Sequence, residues 1–131
     1  MNEEIILNHV ALQFSDLKLA DIFFTKVLKI PKVKSFTLSQ RLSEDIFGIT
    51  NEAEIVVYSN EKICFEIFIS KEKKEIDYSH TCIEITDRKK FMMLCKENGL
   101  NPYIIKKGEK ELLFVKDFSN NLYEIKDKQN L

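Results

Sequence analysis

The chain has 131 residues, of which 44% are apolar and 31% charged, with a formal net charge of −1. One domain with a core of its own is expected at this length, and the balanced charge argues against nucleic acid or an anionic membrane as partner. No apolar run reaches spanning length, the first residues are acidic, and the three cysteines match no zinc spacing, so a cytoplasmic protein with reduced thiols is predicted.

The first half of the sequence predicts one strand, one helix and three further strands. Residues 5–14 are apolar and rich in strand formers, and residues 15–30 repeat apolar side chains at helical spacing until Pro31. Residues 41–50 predict a loop with one helical turn. The three later strands are expected near 33–39, 53–58 and 62–69.

The second half repeats this order. A strand at 78–86 precedes a helix at 87–99, with Asp87 as its cap and Gly99 as its left-handed stop. Three more strands are expected near 103–107, 111–116 and 121–126. The repeat predicts an α+β fold, a single domain over residues 1–131 built from two modules at about 5–70 and 78–127.

The chain has two histidines, His9 and His80, and they occupy equivalent positions in the repeat. Each half also places a glutamate inside its last strand, Glu66 in FEI and Glu124 in YEI. Residues two apart on a strand share a face, so these four residues lie opposite the large apolar side chains. A carboxylate in an apolar strand is costly unless it is paired. Two imidazoles and two carboxylates that converge form a site for a divalent metal, which we favour over two unrelated core histidines.

These stretches resemble the vicinal oxygen chelate superfamily, which includes glyoxalase I, methylmalonyl-CoA epimerase, extradiol dioxygenases and the fosfomycin- and bleomycin-resistance proteins. The resemblance lies in LNHVALQFSDLKLADIFFTKVLKI, SHTCIEITD and DFSNNLYEI. It implies tandem βαβββ modules whose curled mixed sheets surround a metal-site cavity. The ligands it implies are His9, Glu66, His80 and Glu124, which would hold one Zn, Ni, Co or Mn ion within one chain or between two.

Glu66 distinguishes the subgroups of this superfamily. Dioxygenase and fosfomycin members have no acid at that position, whereas glyoxalase and epimerase members have a fourth ligand there. The resemblance therefore implies a metal-dependent lyase or isomerase that moves a proton next to a carbonyl through a metal-stabilised enediolate, with Glu124 or Glu66 as catalytic base. The alternative is a resistance or sequestering module of the same fold that binds a small molecule without turnover.

Three residues on the same strand faces as the ligands are the candidate substrate-binding residues: Gln13, Phe68 and Cys82. Gln13 and Ser70 stand where glutathione-using relatives have basic and amide anchors, so the resemblance does not extend to glutathione. Four basic residues offer contacts to an anionic substrate, but nothing in the sequence places them at the site: Arg41, Lys106, Lys107 and Lys110. A small-molecule substrate and a second copy of the chain, in a homodimer, are the expected partners.

Overall fold

The computed structural model describes residues 7–71 and 78–128. The chain divides into two compact units, Met1–Glu72 and Lys73–Leu131, and each is described by itself. Each unit contains one four-stranded mixed sheet with helical segments, so the predicted α+β class is confirmed. No helix within the described part of the chain is both long and apolar enough to cross a membrane.

The first unit has the strand order β1-β4-β3-β2, in which β1 and β4 are parallel and the other neighbours antiparallel. Its strands are β1 (Val10–Phe14), β2 (Lys32–Leu38), β3 (Ala53–Ser59) and β4 (Cys64–Ile69). The predicted first strand, 5–14, is longer than β1, and its residues 5–6 lie outside the described part. The remaining strands agree with their predicted positions to within two residues.

The predicted helix at 15–30 consists of an α-helical and a π-helical part. Helix α1 (Leu17–Asp21) begins after Asp16, whose carboxylate accepts a hydrogen bond of 3.0 Å from the Leu19 amide. The chain then widens into a π-helical segment, Ile22–Val27, before Lys29 adopts a positive φ of 59°.

The core of the first unit lies between this helical segment and one face of the sheet. The fully buried ring of Phe24 lies 4.7 Å from that of Tyr58 and 5.2 Å from that of Phe65, measured between ring centroids. Phe14 packs on the same ring at 5.5 Å. The apolar strand face opposite His9 and Glu66 is therefore buried under the helix, as the side-chain alternation predicts.

The prediction of a loop with one helical turn at 41–50 is wrong. Residues Gln40–Phe47 form a two-turn helix, α2. The Ser39 hydroxyl caps its start by accepting a hydrogen bond of 3.2 Å from the Leu42 amide, and Gly48 ends it with a left-handed φ of 71°.

The hydrophobic pattern did not reveal α2 because its buried side chain is a small polar one. Ser43 is only 2% exposed, whereas the apolar side chains of Leu42 and Ile46 remain about half exposed. A search for an apolar stripe therefore selects the wrong face of this helix. The sequence does mark the two ends of α2, with Ser39 as a capping residue at its start and Gly48 as a left-handed stop at its end.

The second unit repeats the topology, with the strand order β5-β8-β7-β6 and a parallel β5–β8 pair. Helix α3 (Arg88–Glu97) is capped by Asp87 and is followed by Gly99 at φ 82°, as predicted. The other elements are β5 (Thr81–Ile85), β6 (Tyr103–Lys107), β7 (Lys110–Lys116) and β8 (Leu122–Asp127). A tight turn with Gly108 at φ 62° joins β6 to β7, where the first unit has α2.

Candidate functional site

In the first unit, strand pairing brings His9 next to Glu66. Ala11, two residues after His9 and on the same face, lies opposite Glu66 in the parallel β1–β4 pair. The Nδ1 atom of His9 is 3.4 Å from Oε2 of Glu66, and the two side chains are 36% and 26% exposed. The pair is therefore partly open to solvent and lies on the sheet face away from the aromatic core.

The second unit repeats this arrangement with different neighbours. Cys82, two residues after His80, lies opposite Glu124 in the parallel β5–β8 pair. The Nε2 atom of His80 is 3.9 Å from Oε1 of Glu124, and the side chains are 44% and 18% exposed. Each unit thus brings together one imidazole, from the residue immediately before its first strand, and one carboxylate, from within its last strand.

The two imidazoles differ in how they are oriented. Nδ1 of His80 lies 3.0 Å from the Tyr78 carbonyl oxygen; an Nδ1–H donated there leaves the Nε2 lone pair facing Glu124. A backbone carbonyl in this role is the usual partner of a metal-binding histidine. His9 instead turns Nδ1 towards Glu66, and the same nitrogen is 2.8 Å from Oδ1 of Asn8.

Both pairs have donor atoms that suit a divalent ion, and the first pair also has a suitable spacing. With metal–donor distances near 2.1 Å, neighbouring donors lie about 3.0–3.5 Å apart. The 3.4 Å separation in the first pair falls in this range, and the 3.9 Å separation in the second is slightly longer. Within residues 7–71 and 78–128, no three His, Cys, Asp or Glu side chains form a metal-binding cluster, so the structure shows one two-donor pair in each unit.

A cleft of about 390 Å³ lies in the first unit beneath α2. Two of the candidate substrate residues, Gln13 and Phe68, line it, and the ring of Phe47 meets that of Phe68 edge to face at 5.3 Å. Most of its other lining residues belong to the α2 region or to the ends of the neighbouring strands: Ser43, Ile49, Asn51, Glu52, Ala53, Ile69, Ser70 and Lys71.

A cleft of about 640 Å³ in the second unit is lined by Glu124 and is cationic. Three lysines and one further glutamate share its lining with Leu112: Lys107, Lys110, Lys126 and Glu109. The sequence did not place Lys107 and Lys110 here because they belong to the β6–β7 turn region, and only β-sheet register brings that region beside β8. Lys126 was detectable, since it lies two residues after Glu124 on the same strand.

The third candidate substrate residue, Cys82, is exposed and faces Glu124 across the β5–β8 pair. Partial burial and, after it, the Glu124 carboxylate raise the pKa of the Cys82 thiol; Glu84 adds to this and Lys126 opposes it. A raised pKa keeps the sulfur as a thiol, which is a poor nucleophile and a poor metal ligand. Cys82 therefore fits a wall of the site better than a reactive position.

No protein-family model matches the sequence, and no curated protein is significantly similar to it. Solved structures match over nearly the whole chain. The fosfomycin resistance protein FosX from Listeria monocytogenes aligns with a TM-score of 0.73 at 14% identity, over 97% of this chain and 96% of that chain. FosX from Mesorhizobium loti aligns with a TM-score of 0.69 at 16% identity, over 98% and 94%.

A glyoxalase family protein from Enterococcus faecalis aligns equally well, with a TM-score of 0.71 at 14% identity, over 92% of this chain and 95% of that chain. Because FosX and the glyoxalase family are members of the vicinal oxygen chelate superfamily, these alignments show that the chain has the vicinal oxygen chelate fold. The fold implied by the resemblance is thereby confirmed. A mutant of the Listeria FosX was crystallised with Mn(II) and 1S,2S-dihydroxypropylphosphonic acid.

Proposed function

We propose that this protein is a metal-dependent enzyme in which His9, Glu66, His80 and Glu124 bind one divalent ion. The observation that carries the proposal is the repeated pair, a histidine nitrogen within 4 Å of a glutamate oxygen at equivalent positions of both units. Mn(II) in the FosX complexes supports a divalent ion, and Zn, Ni and Co suit the same donors. The ligands come from one chain or from two copies of it.

The surroundings of the histidines assign them different parts in binding. His80 already directs Nε2 towards its glutamate, with Nδ1 held by the Tyr78 carbonyl oxygen. His9 directs Nδ1 towards Glu66, and this nitrogen also lies beside Oδ1 of Asn8, so the His9 ring must reorient to present Nε2 instead. We therefore expect His80 to bind with less reorganisation than His9.

The proposed reaction is a proton transfer next to a substrate carbonyl. When bound, the ion would supply the positive charge that stabilises oxygen as the neighbouring carbon loses its proton. Glu124 takes that proton on a carboxylate oxygen and returns it to the adjacent carbon in an isomerase or lyase, or to the opposite face of the same carbon in an epimerase. Glu124 is favoured as the base because it lines a cleft, whereas in the first unit the cleft is lined by Phe68, two residues beyond Glu66.

The matched variants Glu124→Gln and Glu66→Gln test this assignment. Both keep an oxygen ligand and remove the basic carboxylate. At saturating metal, with hemithioacetals and 2-oxoacyl thioesters as substrates, Glu124→Gln should lose about two to four orders of magnitude in turnover, the usual share of general-base catalysis. Glu66→Gln should lose much less. Equal, normal turnover by both variants would exclude proton transfer by these carboxylates.

A second candidate function is the binding or modification of a small phosphonate or a related anion. The three lysines beside Glu124 favour it, as does the phosphonate in the Listeria FosX complex. Fosfomycin with Mn(II)-loaded protein, followed by ³¹P NMR after the metal is chelated, separates the possibilities. A new phosphorus signal would identify a modifying enzyme. Tight binding without a new signal would identify a sequestering module. If fosfomycin is neither modified nor bound, the proton-transfer enzyme remains the better proposal.

We also propose a homodimer. The outermost strand β6 of the second unit exposes large apolar side chains, which a second copy would cover: Tyr103, Ile104 and Ile105. Edge strands of this kind tend to pair with another chain. Light scattering should give twice the monomer mass at micromolar concentration, and a monomer mass alone would contradict the dimer.

A further inference from the structure

The cleft of the first unit exists because of an element that the second unit lacks. Between β2 and β3 the chain forms α2 and the loop that follows it, whereas β6 and β7 are joined by a tight turn. Five cleft residues come from this added segment: Ser43, Phe47, Ile49, Asn51 and Glu52. The two units therefore share a topology and differ in what covers the equivalent sheet region.

The lining of this cleft suits an uncharged, apolar group. Phe47, Phe68 and Ile49 form its apolar walls, and Phe47 and Ile49 remain 50% and 44% exposed, so an occupant would remove apolar surface from water. Glu52 and Lys71 are the charged lining residues, and their charges are opposite. A volume near 390 Å³ with aromatic walls and a few polar groups is typical of a small-molecule site.

The cleft adjoins the His9–Glu66 pair on the same sheet face. Phe68 follows Glu66 by two residues, which is about 7 Å along a strand. Gln13, opposite Phe68 in the β1–β4 register, is also a cleft residue. In the second unit the residue two beyond Glu124 is Lys126, so a cation there replaces the aromatic ring.

From this asymmetry we infer that the cleft beneath α2 binds the neutral apolar part of the substrate, preferably an aromatic ring or a short branched acyl group. That the bound group belongs to a substrate rests on the proposed function, whereas the cleft itself is formed within the first unit alone. The α2 segment then sets which substrates are accepted, and Phe47 and Phe68 are the residues in contact with the apolar group.

The absence of tryptophan from the chain allows a clean optical test. Phe47→Trp places a single tryptophan in the cleft, and Phe36→Trp places one at a similarly half-exposed aromatic position on β2, outside the cleft lining. The metal-chelated variants are titrated with 4-fluoroacetophenone, a neutral aromatic ketone, and separately with inorganic phosphate. We expect saturable quenching by the ketone for Phe47→Trp, linear collisional quenching for Phe36→Trp, and no response to phosphate.

The ¹⁹F NMR line width of the same ketone tests the cleft without a reporter. Unsubstituted, metal-chelated protein should broaden the line, and Phe68→Ala, with its fold checked by circular dichroism, should weaken binding at least tenfold. Equal binding by Phe68→Ala, or a saturable response in Phe36→Trp alone, would overturn the inference. Because metal is chelated throughout, a failure here leaves the metal proposal standing, and protein that holds no metal still gives a valid test of the cleft.

Discussion

At the residue scale, Asp117 is a buried carboxylate that organises the turn before β8. It accepts hydrogen bonds from the amides of Ser119 and Asn121, from the Asn121 side chain and from the Tyr123 hydroxyl, at 2.8 to 3.0 Å. Burial raises the pKa of Asp117, and these four donors oppose that shift. Because Tyr123 precedes Glu124, the same network fixes the strand on which a proposed ligand lies.

The substitution Tyr123→Phe tests this network. It removes the 2.8 Å hydrogen bond to Asp117 inside the core, so the free energy of unfolding should fall by about 1.5–3 kcal/mol, as for hydrogen bonds to charged groups. Tyr58→Phe is the matched control. Its hydroxyl donates to Asp21, which is 36% exposed and also paired with Lys32, so the loss should be about 1 kcal/mol. Urea unfolding of both variants measures the difference, and equal losses would contradict it.

Cys95 gives a prediction about alkaline pH. It is fully buried on α3, and burial raises the pKa of its thiol to about 12 from an ordinary value of 9.0. Since the folded value is the higher one, the thiol's contribution to stability is complete below pH 9 and is lost as pH rises towards 12.

Wild-type protein and Cys95→Ala should therefore converge in stability as pH rises. The difference in free energy of unfolding between them should shrink above pH 9, with a slope that approaches about 1.4 kcal/mol per pH unit. Other titrating groups cancel in this difference because both proteins contain them. A difference that stays constant from pH 8 to 10.5 would show that the thiol is accessible to water.

At the scale of elements, the helix ends follow local rules that the sequence displays. Asp87 and Gly99 were assigned as end signals from residue type alone, and both occupy those positions. The α2 helix was missed although Ser39 and Gly48 mark its ends, because its apolar side chains are not its buried ones. The π-helical widening at Ile22–Val27 has no marker in the sequence; Phe24 within it packs on Phe65 of the sheet.

Gly48→Ala tests the end of α2. A Cβ at this position meets no atom within 4 Å, so the cost is that of a positive φ, about 1 kcal/mol. Gly108→Ala is the matched control, with φ 62° and equally open space, in the β6–β7 turn. Both variants should lose similar stability in urea. Only Gly48→Ala should weaken binding of 4-fluoroacetophenone, because Phe47 immediately precedes Gly48. If both variants change binding equally, α2 does not contribute specifically to ketone binding.

At the scale of the whole molecule, the repeat made the fold predictable. Because two short modules share one order of elements, few arrangements of strand pairing need to be considered. Side-chain alternation along each strand then separates the core face from the His–Glu face. The position of Lys107 and Lys110 beside Glu124 could not be predicted in this way, because it depends on strand pairing. Lys107 and Lys110 approach β8 only through the β6–β7–β8 register, which no local pattern in their own segment encodes.

The metal proposal predicts a linkage between ion concentration and stability of the whole chain. An ion that binds the folded state stabilises it by about 2.7 kcal/mol at a concentration one hundred times its dissociation constant. Thermal unfolding with added Mn(II), Zn(II), Ni(II) or Co(II) should therefore rise in midpoint, with about one ion retained per chain. The gain should diminish in acid, because metal ligands must be deprotonated.

Single alanine variants locate the source of that gain. Substitution of His9, Glu66, His80 or Glu124 should each reduce the metal-dependent shift, because the four donors act on one ion. Glu84→Gln is the matched control, since Glu84 lies on β5 on the same face as His80 without belonging to the proposed ligand set. If only the His80 and Glu124 variants reduce the shift, the ion belongs to the second unit alone. If all four variants keep the full shift and the full metal content, the repeated pairs are not its ligands.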